Sequence, residues 1–166
     1  MLLSFGVVML FAKQCSMLRP STVPQTPDSR KYYCLRVIDG DTIVVKRLGS
    51  IRLLGIDCPE MNYEIGDPEP YARDATDLCE SLVDGEEVRL EFDEEKRDKY
   101  GRVLAYVFVK QQPSGDEVFV NAELVRMGLA RVYRYSSNRM YLRQLSSLEK
   151  EARSKGLGMW SNRRAR

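Results

Sequence analysis

Three short stretches of this chain hold residues whose types and spacing could do chemistry together. VIDGDT carries Asp39 and Asp41, RLLGIDCPE carries Arg52, Asp57, Cys58 and Glu60, and DKYGR ends in Arg102. Asp41 and Asp57, with a free backbone carbonyl and water, would form an all-oxygen site, which suits Ca²⁺ or Mg²⁺ and not zinc. Calcium fits the more open and irregular version of such a site. Pro59 restricts Cys58 to an extended conformation, so that the Cys58 carbonyl could be held toward a cation while its thiol stays incidental. Arg52 and Arg102 could both reach one phosphate, because guanidinium forks match phosphate oxygens and stay charged. Glu60 could orient and deprotonate a water. Taken singly, each has a plainer reading as a turn former, a surface arginine or a solvated loop acid; it is the combination that points to phosphoryl chemistry.

Composition narrows the choice. The chain has no histidine, which excludes serine–histidine hydrolysis, histidine zinc sites and phosphohistidine mechanisms, and leaves general-base work to a carboxylate. Cys15, Cys34, Cys58 and Cys79 form no CxxC pair, which argues against a zinc ribbon. Cys34 and Cys79 are placed to face one another across sheet and helix, as a thiol pair or a disulfide. The net charge of +2 arises in the first 33 residues, where Lys13, Arg19, Arg30 and Lys31 stand against Asp28. Any nucleic-acid site must therefore be a local patch, not a bulk field.

The elements that must position these residues follow from pattern. Strand-like runs cover 33–39, 41–48 and 51–56, with Asp39-Gly40 supplying the positive φ of a first hairpin and Gly49-Ser50 forming a second. Tyr71, Ala72, Ala75, Leu78, Cys79, Leu82 and Val83 recur at helical spacing, opened by Asp67-Pro68 or Glu69-Pro70 and closed by Asp84-Gly85. Strands return at 87–92, 103–109 and 118–120. A short helix after an Asn121 cap ends at Gly128, and a last helix from Tyr141 to Ala152 is closed by Gly156. Five principal antiparallel strands with a helix between the third and fourth predict an α+β, mainly β fold: a five-stranded OB barrel with three helices. Strand ends gather on barrel rims, which is where the acids and arginines fall.

The chain length suits one domain, expected over 32–162 with a basic tail at 163–166. Residues 1–31 divide into a largely uncharged start, expected to be a signal peptide or short anchor, and a Pro/Ser/Thr-rich linker. A secreted or envelope-associated protein is the corresponding expectation.

VIDGDT, RLLGIDCPE, DKYGR, NAELVRMGLARV and GLGMW stand in the order and approximate spacing of the staphylococcal nuclease (thermonuclease) family, which this chain resembles over about 33–160. The resemblance implies a calcium-dependent nuclease that hydrolyses DNA and RNA with little sequence specificity and leaves 3′-phosphate ends. It implies Asp41, Asp57 and the Cys58 carbonyl as calcium ligands, with Asp39 beside them. Glu60 becomes the general base or orienter of water, and Arg52 and Arg102 clamp the scissile phosphate, Arg102 also lying near the leaving oxygen. Lys99 and Tyr100 match the family's first nucleotide-pocket pair; Tyr133 and Tyr135 match the second if a one-residue gap is allowed, and packing against the barrel is an equal reading for them. The 61–69 loop is acidic where the family is often basic, which implies weaker affinity.

The expected substrate is single-stranded or locally open nucleic acid, bound by a monomer with no obligate protein partner. Two competing readings are an OB-type nucleic-acid-binding module with weak or lost catalysis and a calcium-stabilised structural domain of the envelope. The first would be expected to lack Arg52, Glu60 or Arg102, and all three are present.

Overall fold

The computed structural model describes residues 31–62 and 66–165; the leader, the linker up to residue 30, Cys15 and positions 63–65 of the acidic loop lie outside the described residues. In chain order the elements are β1 (Lys31–Asp39), β2 (Thr42–Val45), β3 (Gly49–Leu53), β4 (Ile56–Asp57), α1 (Ala72–Val83), β5 (Glu87–Glu91), β6 (Val103–Lys110), β7 (Glu117–Phe119), α2 (Val120–Arg126), β8 (Arg131–Val132) and α3 (Leu142–Lys155), followed by a 3₁₀ helix at Gly158–Ala165.

Strands β3, β2, β1, β5 and β6 pair in that order, and parallel pairing of β3 with β6 closes them into a barrel. The pleat sends alternate residues inward. Cys34, Ile43, Ile51, Leu53, Val88 and Val107 are all fully or almost fully buried in the resulting core. Helix α1 closes the barrel with Ala75, Cys79 and Val83, so the helical spacing in the sequence does mark a buried face. A second apolar cluster lies on the outside of the sheet, where Leu54, Leu104, Tyr106 and Phe108 pack with Phe119 and Tyr141. The two short strands β4 and β8 pair separately, and β7 adds an edge to β6.

Several local expectations are corrected. Gly40 does not adopt a positive φ. It is glycine because a Cβ there would come within 2.7 Å of the Ala75 Cβ and 3.0 Å of the Cys58 Cβ and Sγ. The β2–β3 turn occupies 46–48, with Arg47 at φ 72°, while Gly49 and Ser50 already belong to β3. Neither acid–proline pair opens α1; its N-cap is Tyr71, at φ 72° and without a side-chain cap bond. Val120 starts α2 instead of ending a strand, so Asn121 lies inside the helix and is no cap. Asn121 is fully buried; its Oδ1 accepts the Val107 N–H at 3.0 Å and its Nδ2 donates to the Leu54 carbonyl at 2.9 Å. Tertiary hydrogen bonds outbid the capping preference. Cys34, Cys58 and Cys79 are buried free thiols, and burial pushes Cys34 up to about 11.

Glu149 of α3 ties the chain after β8 to the last helix. It is 3% exposed and accepts from the Val132 N–H at 3.1 Å and Arg134 Nη2 at 2.6 Å, with Arg153 Nη2 at 3.1 Å. Burial alone would raise its pKa, but the donors from Arg134, Val132 and Arg153 outweigh it and leave the pKa lowered.

Two outcomes follow. Gly40→Ala forces a methyl into the α1–hairpin contact and should destabilise the protein by about 1–3 kcal/mol, read as a lower urea midpoint at unchanged slope. Because Glu149 binds protons less readily folded than unfolded, its stabilisation is complete above the ordinary glutamate pKa of about 4.3 and is lost as pH falls through the lowered folded value. Urea midpoints measured against pH should fall on acidification in the wild type, and less steeply in Glu149→Gln.

Candidate active site

The site begins with strand register. In the parallel pair, Ile51 aligns with Val103, Arg52 with Leu104 and Leu53 with Ala105. Ile51, Leu53, Val103 and Ala105 point into the core, so Arg52 and Leu104 point out. Arg102, one place before β6 and two before Leu104, falls on the same outward face. Strand spacing puts its Cα about 8 Å from that of Arg52.

The first hairpin brings acids to Arg52. Its Nη1 ion-pairs with Asp41 Oδ2 and its Nη2 with Asp57 Oδ1 at 2.8 Å. Asp41 is 5% exposed, and its oxygens also accept the Cys58 N–H at 2.8 Å and the Thr42 hydroxyl at 3.2 Å. Asp39 Oδ1 accepts the Asp41 N–H at 3.1 Å, and the Asp41 carbonyl accepts the Leu53 N–H at 2.8 Å. The hairpin is thereby pinned to β3. Burial raises the pKa of Asp39, against the opposing pull of its Thr42 hydrogen bond and of Arg52 and Arg102.

The donor set can be tested against a cation. Among the described residues, no group of three or more Cys, Asp or Glu side chains converges as a ready cage. Asp41 and Asp57 do aim carboxylate oxygens at one guanidinium, so the space between them already favours positive charge. Burial raises the Cys58 thiol well above its ordinary pKa, which makes it a poor ligand. Two carboxylates without a soft donor fit a hard cation that takes its other oxygens from backbone, water or substrate.

Arg102 is set by Asp98, a residue the sequence reading passed over. Asp98 Oδ2 accepts Arg102 Nε at 2.7 Å, while Oδ1 accepts the backbone N–H groups of Tyr100 and Arg102, each at 2.9 Å. Gly101 takes φ 80° to complete this turn. Burial opposes the charge on Asp98, but the bonds from Arg102 and Tyr100 prevail and lower its pKa. An acid four residues before an arginine, in a short Gly-containing turn, was the available signal.

Arg52, Arg102, Lys99, Tyr100, Tyr133 and Tyr135 all line one cleft of about 490 Å³. The rings do not pack into the barrel: Tyr100 is 72% exposed and Tyr135 90%. Lys99 Nζ lies 4.9 Å from the Tyr100 ring centre, and the Tyr133 and Tyr135 rings meet edge-on at 6.0 Å. Two loops form the walls, and Asn138 staples them. Its Oδ1 accepts the Glu95 N–H at 2.8 Å and its Nδ2 donates to the Glu95 carbonyl at 3.0 Å. Nothing in the local sequence signalled that role. Glu60 stands outside the cleft lining. Its backbone is paired with Glu69, its N–H donating to Glu69 Oε2 at 3.1 Å and its carbonyl accepting the Glu69 N–H at 2.9 Å. Partial burial raises the pKa of Glu60, as do the neighbouring charges of Asp39, Asp57 and Glu69, with Arg52 acting against them.

A closed five-stranded barrel with three helices defines an OB-fold protein of the α+β, mainly β class. The family described as staphylococcal nuclease homologue matches residues 50–162. The thermonuclease of Staphylococcus hyicus is 36% identical over 138 residues, covering 81% of this chain and 78% of the relative. The thermonuclease of Staphylococcus intermedius is 40% identical over 132 residues, covering 78% and 75%. Endonuclease YncB of Bacillus subtilis (strain 168) is 42% identical over 131 residues, covering 76% of this chain and 59% of its own. The chain belongs to the staphylococcal nuclease family. It is accordingly a nuclease, a hydrolase of ester bonds.

Asp98→Ala removes both the Nε partner of Arg102 and the turn that aims it. The expected loss in kcat/KM is on the order of 10²-fold, as for a misplaced reacting group. Circular dichroism should show the barrel still folded.

Proposed function

We propose that this nuclease acts with calcium on DNA and RNA alike, with little sequence specificity, and releases 3′-phosphate ends. The observation that carries the reading is the meeting of Arg52 and Arg102 on one cleft, with Asp41 and Asp57 converging on the same Arg52 guanidinium. Asp41, Asp57 and the Cys58 carbonyl would hold the ion, with Asp39 bracing Asp41 through its backbone N–H. An ion held there would supply positive charge that offsets the charge on the phosphoryl oxygens.

The chain's own groups do the rest. Arg52 and Arg102 grip the scissile phosphate and meet the charge that develops on it, with Arg102 already oriented by Asp98. Glu60 orients the attacking water and accepts its proton. A bond forms from that water oxygen to phosphorus as the bond to the 5′ oxygen breaks. The leaving oxygen departs on the Arg102 side and takes up a proton from solvent, giving a 5′-hydroxyl and a 3′-phosphate. Lys99 contacts phosphate, and the exposed rings of Tyr100, Tyr133 and Tyr135 stack on bases of any identity, which suits single-stranded or locally open substrate.

The test is digestion of single-stranded DNA and of RNA by the full chain, with Ca²⁺ or with chelator. Cleavage only with Ca²⁺, and products with 3′-phosphate ends, are expected. Arg102→Ala and Glu60→Gln should each lower kcat, the arginine variant by about 10²–10³-fold, taking an oxyanion-hole donor as guide. Cleavage unaffected by chelator, or near-normal kcat in Arg102→Ala, would overturn the proposal.

A further inference from the structure

We propose that the outer face of the β1–β2–β3 sheet is a second phosphate-binding surface, which carries the nucleic-acid strand away from the cleft over Arg36, Lys46 and Arg47. The inference rests on the nuclease reading above and extends it to how much of the substrate the protein holds.

Register places the surface. Arg36 aligns with Val44 and Val44 with Ser50, while Thr42 aligns with Arg52. Their neighbours Cys34, Ile43, Val45 and Ile51 are buried in the barrel, so the row from Arg36 to Ser50 lies on the same outward face as Arg52. Sheet geometry puts the Arg36 Cα about 12 Å from that of Arg52, a span of a few internucleotide steps. A register shift between Cys34 and Arg36 interrupts the alternation, and Leu35 and Arg36 are exposed in succession. Lys46 follows β2, its N–H bonded to the Tyr33 carbonyl at 2.9 Å. Arg47 turns outward at the tip, at φ 72°.

Charge and chemistry fit a polyanion with bases. Arg52, Arg89, Arg102, Arg126, Arg134 and Arg153 are each engaged by a carboxylate. Arg36, Lys46 and Arg47 are among the described cations that make no ion pair, and these three are exposed and gathered at one end of the same hairpin face. Beside them Tyr33 is 46% exposed and Leu35 51%, an aromatic and an apolar surface among unpaired cations. Beyond Tyr33 the row stops, because Glu86 and then Glu87, the first residue of β5, follow, and Glu87 pairs with Lys31. The basic residues thus share an outward face that runs to Arg52 through Val44 and Ser50, and the face is bounded by acid at its far end. A single strand engaged in the cleft has a favourable path in one direction across β3, β2 and β1.

The test uses Arg36→Glu/Lys46→Glu/Arg47→Glu, whose sites are exposed and outside the catalytic machinery. Binding of a fluorescent oligo(dT) of about 20 nucleotides is measured in chelator, so that no cleavage is required, over a range of NaCl. The wild type should bind with a log–log salt slope steeper by about 2 than the triple variant, as three single-strand phosphate contacts require. At low salt the variant should bind at least tenfold more weakly. With Ca²⁺, KM for long single-stranded DNA should rise while kcat/KM for a dinucleotide substrate stays unchanged. Equal affinity and salt slope in both proteins would overturn the inference, and would leave this face to a protein partner or to solvent. A wild type that binds the oligonucleotide through these residues but cleaves neither substrate would instead sink the nuclease mechanism and leave the surface standing.

Discussion

Everything at the cleft depends on the parallel pairing that closes the barrel. Strands β3 and β6 are about fifty residues apart in sequence, and their alignment of Ile51 with Val103 and Leu53 with Ala105 is held by side chains packed in the core. A slip of one residue in either strand would turn that strand's core side chains outward and bury its arginine, exchanging apolar packing for a desolvated guanidinium. The apolar register therefore fixes the polar one. Two arginines share a cleft because their neighbours share a core.

With that face established, electrostatics explains how acids tolerate the rim. Asp41 is almost fully buried, a position a carboxylate holds only with counter-charge and donors. Arg52, the Cys58 N–H and Thr42 supply them. The same guanidinium also holds Asp57, so the two aspartates stand together with one negative charge in excess of the arginine. Close packing adds a steric condition, since only glycine at position 40 lets the hairpin sit this close to Cys58 and Ala75. The cleft walls are held in a comparable way. Asn138 and Asp98 bind backbone groups, so they fix loops and not merely side chains.

Much of this was legible in the sequence. Period-two runs and one helical stripe gave the barrel and its covering helix, because burial on one face forces those repeats. The acids and arginines stood out at strand ends, and family blocks in order gave the class. Local preferences misled where tertiary contacts overrode them. Gly40 does occupy the β1–β2 turn, but close packing against Ala75 and Cys58, not a positive φ, is what requires glycine there. Asn121 was read as a cap and is a clamp between β6 and the end of β3. Asp98 and Asn138 were passed over, because a side chain that organises a loop leaves a weak signature in the letters around it.

By itself the sequence determined the kind of fold, the absence of imidazole chemistry and the set of carboxylates and guanidiniums available, since these follow from composition and periodicity along one dimension. Tertiary structure alone decided which of them meet. The partner of Asp41 is Arg52, that of Arg102 is Asp98, and the tyrosines face solvent beside them instead of the core. Such pairings are set by strand register and barrel closure, which place residues distant in sequence within a few ångströms, and no local pattern encodes that distance.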